Sequence, residues 1–121
     1  MKWDSATVRM LAGAREVDVV VPAPDRPDVR APIWVVVVDG DLYVRSWKGD
    51  AGIWYRRASR YGTGSVFAAG RELPVRFTAV AERGVNARID EAYLRKYESS
   101  PYTEAMMRRP ATGTTLRLDP A

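Results

Sequence analysis

The chain has 121 residues, 46% of them apolar, carries 19 Lys or Arg against 15 Asp or Glu, and contains neither His nor Cys. This length predicts one domain over residues 1–121, able to bury about two-thirds of its extended-chain surface around a single core. The two missing residue types exclude a Ser-His-Asp triad, a cysteine nucleophile, a zinc finger, haem-ligating histidine and thiolate-held iron–sulfur clusters, leaving carboxylates, Lys, Tyr, Arg, backbone groups or a borrowed cofactor.

Asp4 suits the N-cap of a first helix over about Ser5–Ala14, whose apolar stripe is Val8, Leu11 and Ala12. Val17, Val19 and Val21 alternate in a strand over Glu16–Val21, which Pro22 ends. The next segment, PAPDRPDVRAP, holds four prolines and reads as a loop, because proline donates no backbone hydrogen bond. Ile33–Val38 is apolar on both faces, which predicts a central strand with one face in the core and the other under a helix or a partner subunit.

Asp39-Gly40 is a hairpin signal leading into a strand over Leu42–Trp47, with Tyr43, Arg45 and Trp47 on one face and Leu42, Val44 and Ser46 on the other. A turn at residues 48–52 precedes a short helix over Ile53–Tyr61. Ser65–Ala69 and the alternating residues Val75, Phe77 and Ala79 make a second hairpin. Asn86 is the expected N-cap of a helix over about Ala87–Glu98 with a stripe of Ile89, Ala92, Tyr93 and Tyr97. A shorter helix over Tyr102–Arg109 and a last strand over Thr114–Leu118 complete the chain. Sequential hairpins of this kind predict an α+β domain: a small, mostly antiparallel barrel of about six strands with two to four helices packed outside.

The positive charge is local. Residues 45–60 hold five basic residues and one acid, and the rest of the chain is balanced, which points to one anionic partner rather than general attraction to polyanions. No stretch approaches the ~18 to 20 apolar residues of a membrane span, and the N-terminus lacks a signal peptide's apolar core. A cytoplasmic protein without membrane association is expected. The absence of cysteine fits a reducing compartment.

The run PIWVVVVDGDLYVRSWKGDAGIWYRRA, followed by GTGSVFAAG, VRF, IDEAYLRKY and ATGTTLRLDP, closely resembles the bacterial family called domain of unknown function 2255, over roughly residues 30 to 119. More distantly, a hairpin strand, a Gly-containing turn, Trp-Tyr and a basic short helix are similar to the split β-barrel proteins that bind flavin mononucleotide (FMN) or a deazaflavin, such as pyridoxamine-phosphate oxidases and deazaflavin-dependent nitroreductases. That resemblance implies a split β-barrel, often a homodimer with the cofactor at the subunit interface. It also implies a phosphate near Arg45, Ser46 and Lys48, with Arg56, Arg57 and Arg60 close behind. Where the nitroreductases carry an Asn-Leu-x-Ala-Asn-Pro-like segment, this chain has Arg56-Arg57-Ala58-Ser59-Arg60.

The chemistry of the window agrees with a phosphate site. Arg45 can fork onto two oxygens, Ser46 can donate, Lys48 supplies a point charge, and the amides opening the Ile53 helix lie at its positive end. The competing reading has Asp50 capping that helix and the arginines paired with acids elsewhere, and an Arg45 buried against an internal carboxylate would overturn the anion site in every version. Trp47, beside the turn, is the aromatic residue expected to face a ligand, whereas Trp54 and Tyr61 have the spacing of a packed stripe. No catalytic residue and no metal site is indicated.

Three functions stay open: a flavin- or deazaflavin-phosphate-binding protein with oxidoreductase chemistry, a non-catalytic barrel binding another small anion or a protein partner, and nucleic-acid binding. The charge balance outside the window disfavours the third.

Overall fold

The computed structural model describes residues 2–121. The chain runs α1 (Ser5–Gly13), β1 (Val17–Ala23), β2 (Arg26–Ile33), β3 (Val35–Val38), β4 (Asp41–Val44), α2 (Ile53–Tyr61), β5 (Thr63–Ala68), β6 (Arg71–Ala79), α3 (Arg83–Lys96), α4 (Thr103–Met106) and β7 (Leu116–Pro120). The seven strands form one sheet in the order β2-β1-β5-β6-β7-β4-β3, and every neighbouring pair is antiparallel. The two end strands, β2 and β3, are consecutive in the chain with only Trp34 between them. The curled sheet is therefore brought back on itself by a covalent link rather than by a ladder of hydrogen bonds. This is the α+β split-barrel architecture, with seven strands where about six are expected from sequence and four helices outside.

Period-two alternation fills the interior. Val17, Val19 and Val21 of β1 face Leu73, Val75 and Phe77 of β6, and Leu42, Val44, Leu116 and Leu118 close the other wall. Leu11 of α1 and Trp54 and Ala58 of α2 pack into the same cluster. A second core lies outside the sheet, where Val36, Val38 and Tyr43 of β3 and β4 meet Ile89, Tyr93 and Tyr97 on one stripe of α3. The valine run thus has both faces covered, as its composition predicts, although β3 is an end strand of the hydrogen-bond order rather than a central one. Full burial of each such side chain is worth roughly 1.5–3 kcal/mol.

Local signals hold at several joints. Asp4 accepts hydrogen bonds from the Thr7 amide and hydroxyl and caps α1. Asp39 and Gly40 both take positive φ, 52° and 81°, and form the two-residue turn between Val38 and Asp41.

Two expectations change. Residues 26–33 are not loop but strand β2, paired with β1 from Val17↔Ile33 to Val21↔Val29. Proline removes a ladder donor, which costs least in an edge strand such as β2; Pro22, expected to end β1, and Pro74 nonetheless lie inside the interior strands β1 and β6. Helix α3 begins four residues before the expected position, capped by Glu82, whose carboxylate accepts from the amides of Gly84 and Val85 at 2.8 Å each. Asn86 sits inside the helix with a different task. No helix among the described residues is long and apolar enough to cross a membrane.

Tyr97 holds α3 to the barrel. Its ring stacks on Trp34 with centroids 3.9 Å apart, and its hydroxyl donates to the Arg15 carbonyl at 2.9 Å. Burial pushes this phenol up to about 12, while an unfolded tyrosine titrates near 10. Since the folded form keeps its proton longer, the stability associated with Tyr97 is complete below pH 10 and is lost as pH rises towards 12. Chemical denaturation at stepped pH should show stability falling through that window, with a shallower fall in Tyr97→Phe; identical curves would refute the assignment.

Candidate ligand-binding cleft

Strand β4 pairs with β3 and β7 as far as Val44, and the residues that follow leave the ladder. Arg45 turns inward and is 1% exposed. Its Nε donates to Thr115 Oγ1 at 3.0 Å, and its Nη1 donates to Asp90 Oδ1 at 2.5 Å and the Met106 carbonyl at 2.9 Å. Nη2 reaches the Asn86 carbonyl at 3.3 Å and Asn86 Oδ1 at 3.0 Å. A guanidinium has five N–H donors, and these contacts account for all of them. Arg45 is therefore corrected from an anion ligand to a buried framework cation, since it has no donor left to offer a phosphate; this overturns the anion site as read from the sequence, and any anion bound in this region rests on groups other than Arg45. Asp90 of α3 is its counter-ion.

Of the next three residues Ser46 stays buried, 1% exposed, while Trp47 and Lys48 emerge at the surface of a different feature. Ser46 fixes its backbone by donating its amide to Thr114 Oγ1 at 2.8 Å, and the chain then turns through a short 3-10 segment, Gly49–Ala51. Gly49 has φ of +65°, and a Cβ there would lie 2.5 Å from Pro110 Cβ. A Cβ on Gly52 would lie 2.5 Å from Ser46 Oγ. Both glycines are required by close approach, and together they press the start of α2 against Ser46. The first turn of α2 has no side-chain cap, so Asp50 does not fill the role expected of it and the opening amides stay free.

These pieces form one side of a cleft of about 670 Å³. Ser46, Trp47, Lys48 and the Gly52–Trp54 turn line it together with Ala31 and Ile33 of β2, the linking Trp34, Glu16 and Tyr102. The volume lies inside the roughly 300–1,000 Å³ range of small-molecule sites, and the lining is mostly apolar and aromatic. Trp47 is 55% exposed and stands edge-on to Tyr102, their centroids 6.4 Å apart. Lys48 is exposed and makes no ion pair among the described residues.

The basic window is thereby divided. Ser46, Trp47 and Lys48 come together at the cleft, whereas Arg56, Arg57 and Arg60 do not line it. Arg57 donates to the carbonyls of Pro27 at 2.7 Å and Val21 at 3.3 Å, tying α2 to the β1–β2 hairpin. Arg60 lies over the Tyr61 ring, and Arg56 is exposed. Trp54 is buried in the core as its spacing predicts; Tyr61 remains 41% exposed.

Sequence reasoning missed Asn86, Thr115 and Tyr102. The first two are placed by contacts across the barrel, and only the polar Thr114-Thr115 pair opening an apolar strand marks them in the sequence.

Removing Asp90 would leave a fully buried cation without its counter-ion. Asp90→Ala should cost about 3–5 kcal/mol, and Arg45→Lys should also be strongly destabilising because an ammonium cannot reproduce the fork. Urea denaturation measures both; a loss under about 1 kcal/mol in either variant would show that the network is not structural.

Comparison with solved structures finds the same fold in proteins of very different sequence. A conserved hypothetical protein from Mycobacterium tuberculosis matches with TM-score 0.69 and 14% identity over 98% of this chain and 79% of its own. An F420-H2 dependent reductase matches with TM-score 0.67 and 15% identity, covering 87% of this chain and 94% of its own. An FAD-binding protein from Mesorhizobium loti matches with TM-score 0.60 and 17% identity over 98% and 91% of the two chains. A search of curated proteins finds no match in sequence. The family model for uncharacterized proteins conserved in bacteria, DUF2255, matches residues 7–118, nearly the whole chain, and the protein belongs to that family.

Proposed function

We propose that the cleft binds a flavin or deazaflavin cofactor, FMN or an F420-like deazaflavin, and that the protein acts as a cytoplasmic homodimer with oxidoreductase chemistry. The observation that carries the reading is the convergence of Ser46, Trp47, Lys48 and the uncapped first turn of α2 on one mostly apolar cleft. A phosphate needs donors and positive potential, which Lys48, the Ser46 hydroxyl and the free α2 amides offer. A planar tricyclic ring needs flat apolar walls, and Trp34, Trp47 and Tyr102 supply such surfaces. The printed names of two structural neighbours, an F420-H2 dependent reductase and an FAD-binding protein, support the same class.

The cofactor would supply the hydride chemistry, which removes any requirement for His or Cys in the chain. The protein's own residues then bind and orient: Lys48 and Ser46 hold the anionic end, and the aromatic residues exclude water from the ring. Trp47, Ile53 and Tyr102 are 55%, 62% and 61% exposed, and all three line the cleft. A second copy covering these residues would enclose the ligand and bury the apolar rim.

Titration of the purified chain with FMN, FAD and F420 should quench cofactor or tryptophan fluorescence saturably for at least one of them. Lys48→Glu should weaken that binding by tenfold or more, equivalent to about 1.4 kcal/mol. Gly52→Ala, which drives a methyl into Ser46 Oγ, should abolish it while leaving the fold intact by circular dichroism. No saturable binding of any of the three ends the proposal. Light scattering should give the mass of two chains, and a monomer at every concentration would remove the dimer.

A further inference from the structure

A second concavity of about 460 Å³ shares no lining residue with the first. It lies between the end of β6 with the start of α3 and the segment from Arg109 to Thr115, with Tyr55 of α2 at its side. We propose that this cleft is a binding site for a small oxyanion, a phosphate or carboxylate carried on a compact ligand.

The inventory of hydrogen-bonding groups points to an anion. Two polar lining residues, Asn86 and Thr115, are already committed internally. Asn86 Nδ2 donates to the carbonyls of Val80 at 3.1 Å and Glu82 at 2.9 Å, while its Oδ1 accepts from Arg45 and from the Thr115 hydroxyl. Thr115 Oγ1 in turn accepts from Arg45. The uncommitted side chains are the guanidinium groups of Arg83 and Arg109 and the hydroxyls of Tyr55 and Thr112. All four can donate, the two arginines can do nothing else, and no carboxylate lines the cleft.

Both arginines are exposed, and neither has an ion-pair partner among the described residues. Arg83 opens a 14-residue helix whose N-terminus is already capped by the Glu82 carboxylate, bonded to the amides of Gly84 and Val85, so the donors left for a ligand are those of the side chains. An oxyanion in this cleft would meet the guanidinium groups of Arg83 and Arg109, which make no other hydrogen bond among the described residues. Ala79, Val80 and Ala81 leave only a short apolar wall, which limits the ligand to a compact one.

The test uses the full ¹⁵N-labelled chain, titrated with inorganic phosphate and separately with succinate at constant ionic strength balanced by chloride. Saturable amide shifts centred on Ala81, Arg83, Thr112 and Gly113 are expected, and Arg83→Ser with Arg109→Ser should weaken the binding tenfold or more without changing the melting temperature. Saturation by phosphate alone identifies a phosphate ligand, by succinate alone a carboxylate, and by both a general oxyanion site. Shifts that never saturate with either anion, or saturation unchanged in the double variant, overturn the proposal. Loss of FMN or F420 binding in Lys48→Glu tests the first cleft independently, so the failure of one site leaves the other standing.

Discussion

The guanidinium of Arg45 is the group on which this structure turns. Taking a cation fully out of water costs several kcal/mol, and the cost is offset only if a counter-ion and every donor are matched. Here five acceptors from α3, α4 and Thr115, the residue before β7, surround it, and one of them, Asp90, carries the compensating charge. The outer helices, which cover the Val36–Val38 face through Ile89, Tyr93 and Tyr97, are thereby fixed in register with β4 as well as packed against it. Apolar packing alone tolerates small slips; a fork with five partners does not.

That constraint also directs the chain that follows. With Arg45 pinned inward and the Ser46 amide bound to Thr114, the next residues must leave the sheet and turn immediately, and Gly49 and Gly52 are the positions where the turn passes too close to Pro110 and Ser46 for any Cβ. The consequence is a fixed wall made of Ser46, Trp47, Lys48 and the opening of α2, facing β2 across the gap where the sheet is joined by chain rather than by hydrogen bonds. A cleft at that gap needs no cavity carved from the core. It is what remains when an antiparallel sheet curls until its two end strands are consecutive in the chain.

How far this was legible follows from the range of each interaction. The Asp-Gly turn, the Asp4 cap, the alternating valines and α2 are written in residues at most a few positions apart, and they appear where the pattern puts them. Strand β2 is hidden because proline density argues against a strand in general, although each proline costs a ladder only the one donor it lacks, least of all at an edge. The start of α3 is hidden by Gly84, which weakens the helical signal just where Glu82 provides a cap. Arg45 is hidden most deeply: its partners Asp90 and Thr115 are 45 and 70 residues away, so no local window contains the reason for its burial. The grouping of Ser46, Trp47 and Lys48 was readable because strand and turn are local; the exclusion of Arg56, Arg57 and Arg60 was not, because it depends on where α2 docks.

The same network sets a relation between the two clefts. Asn86 and Thr115 face the second cleft and also hold Arg45, and Arg45 lines the first. A group entering either cleft thus meets a wall whose opposite side is the other cleft's framework. Because all five donors of Arg45 are used, the wall has no spare hydrogen bond with which to adapt, and rearranging it means breaking a bond to a buried cation. Two rigid clefts sharing one saturated ion are therefore expected to keep their shapes on ligand binding, with selectivity resting on the side chains at their rims: Lys48 and Trp47 at one, Arg83 and Arg109 at the other.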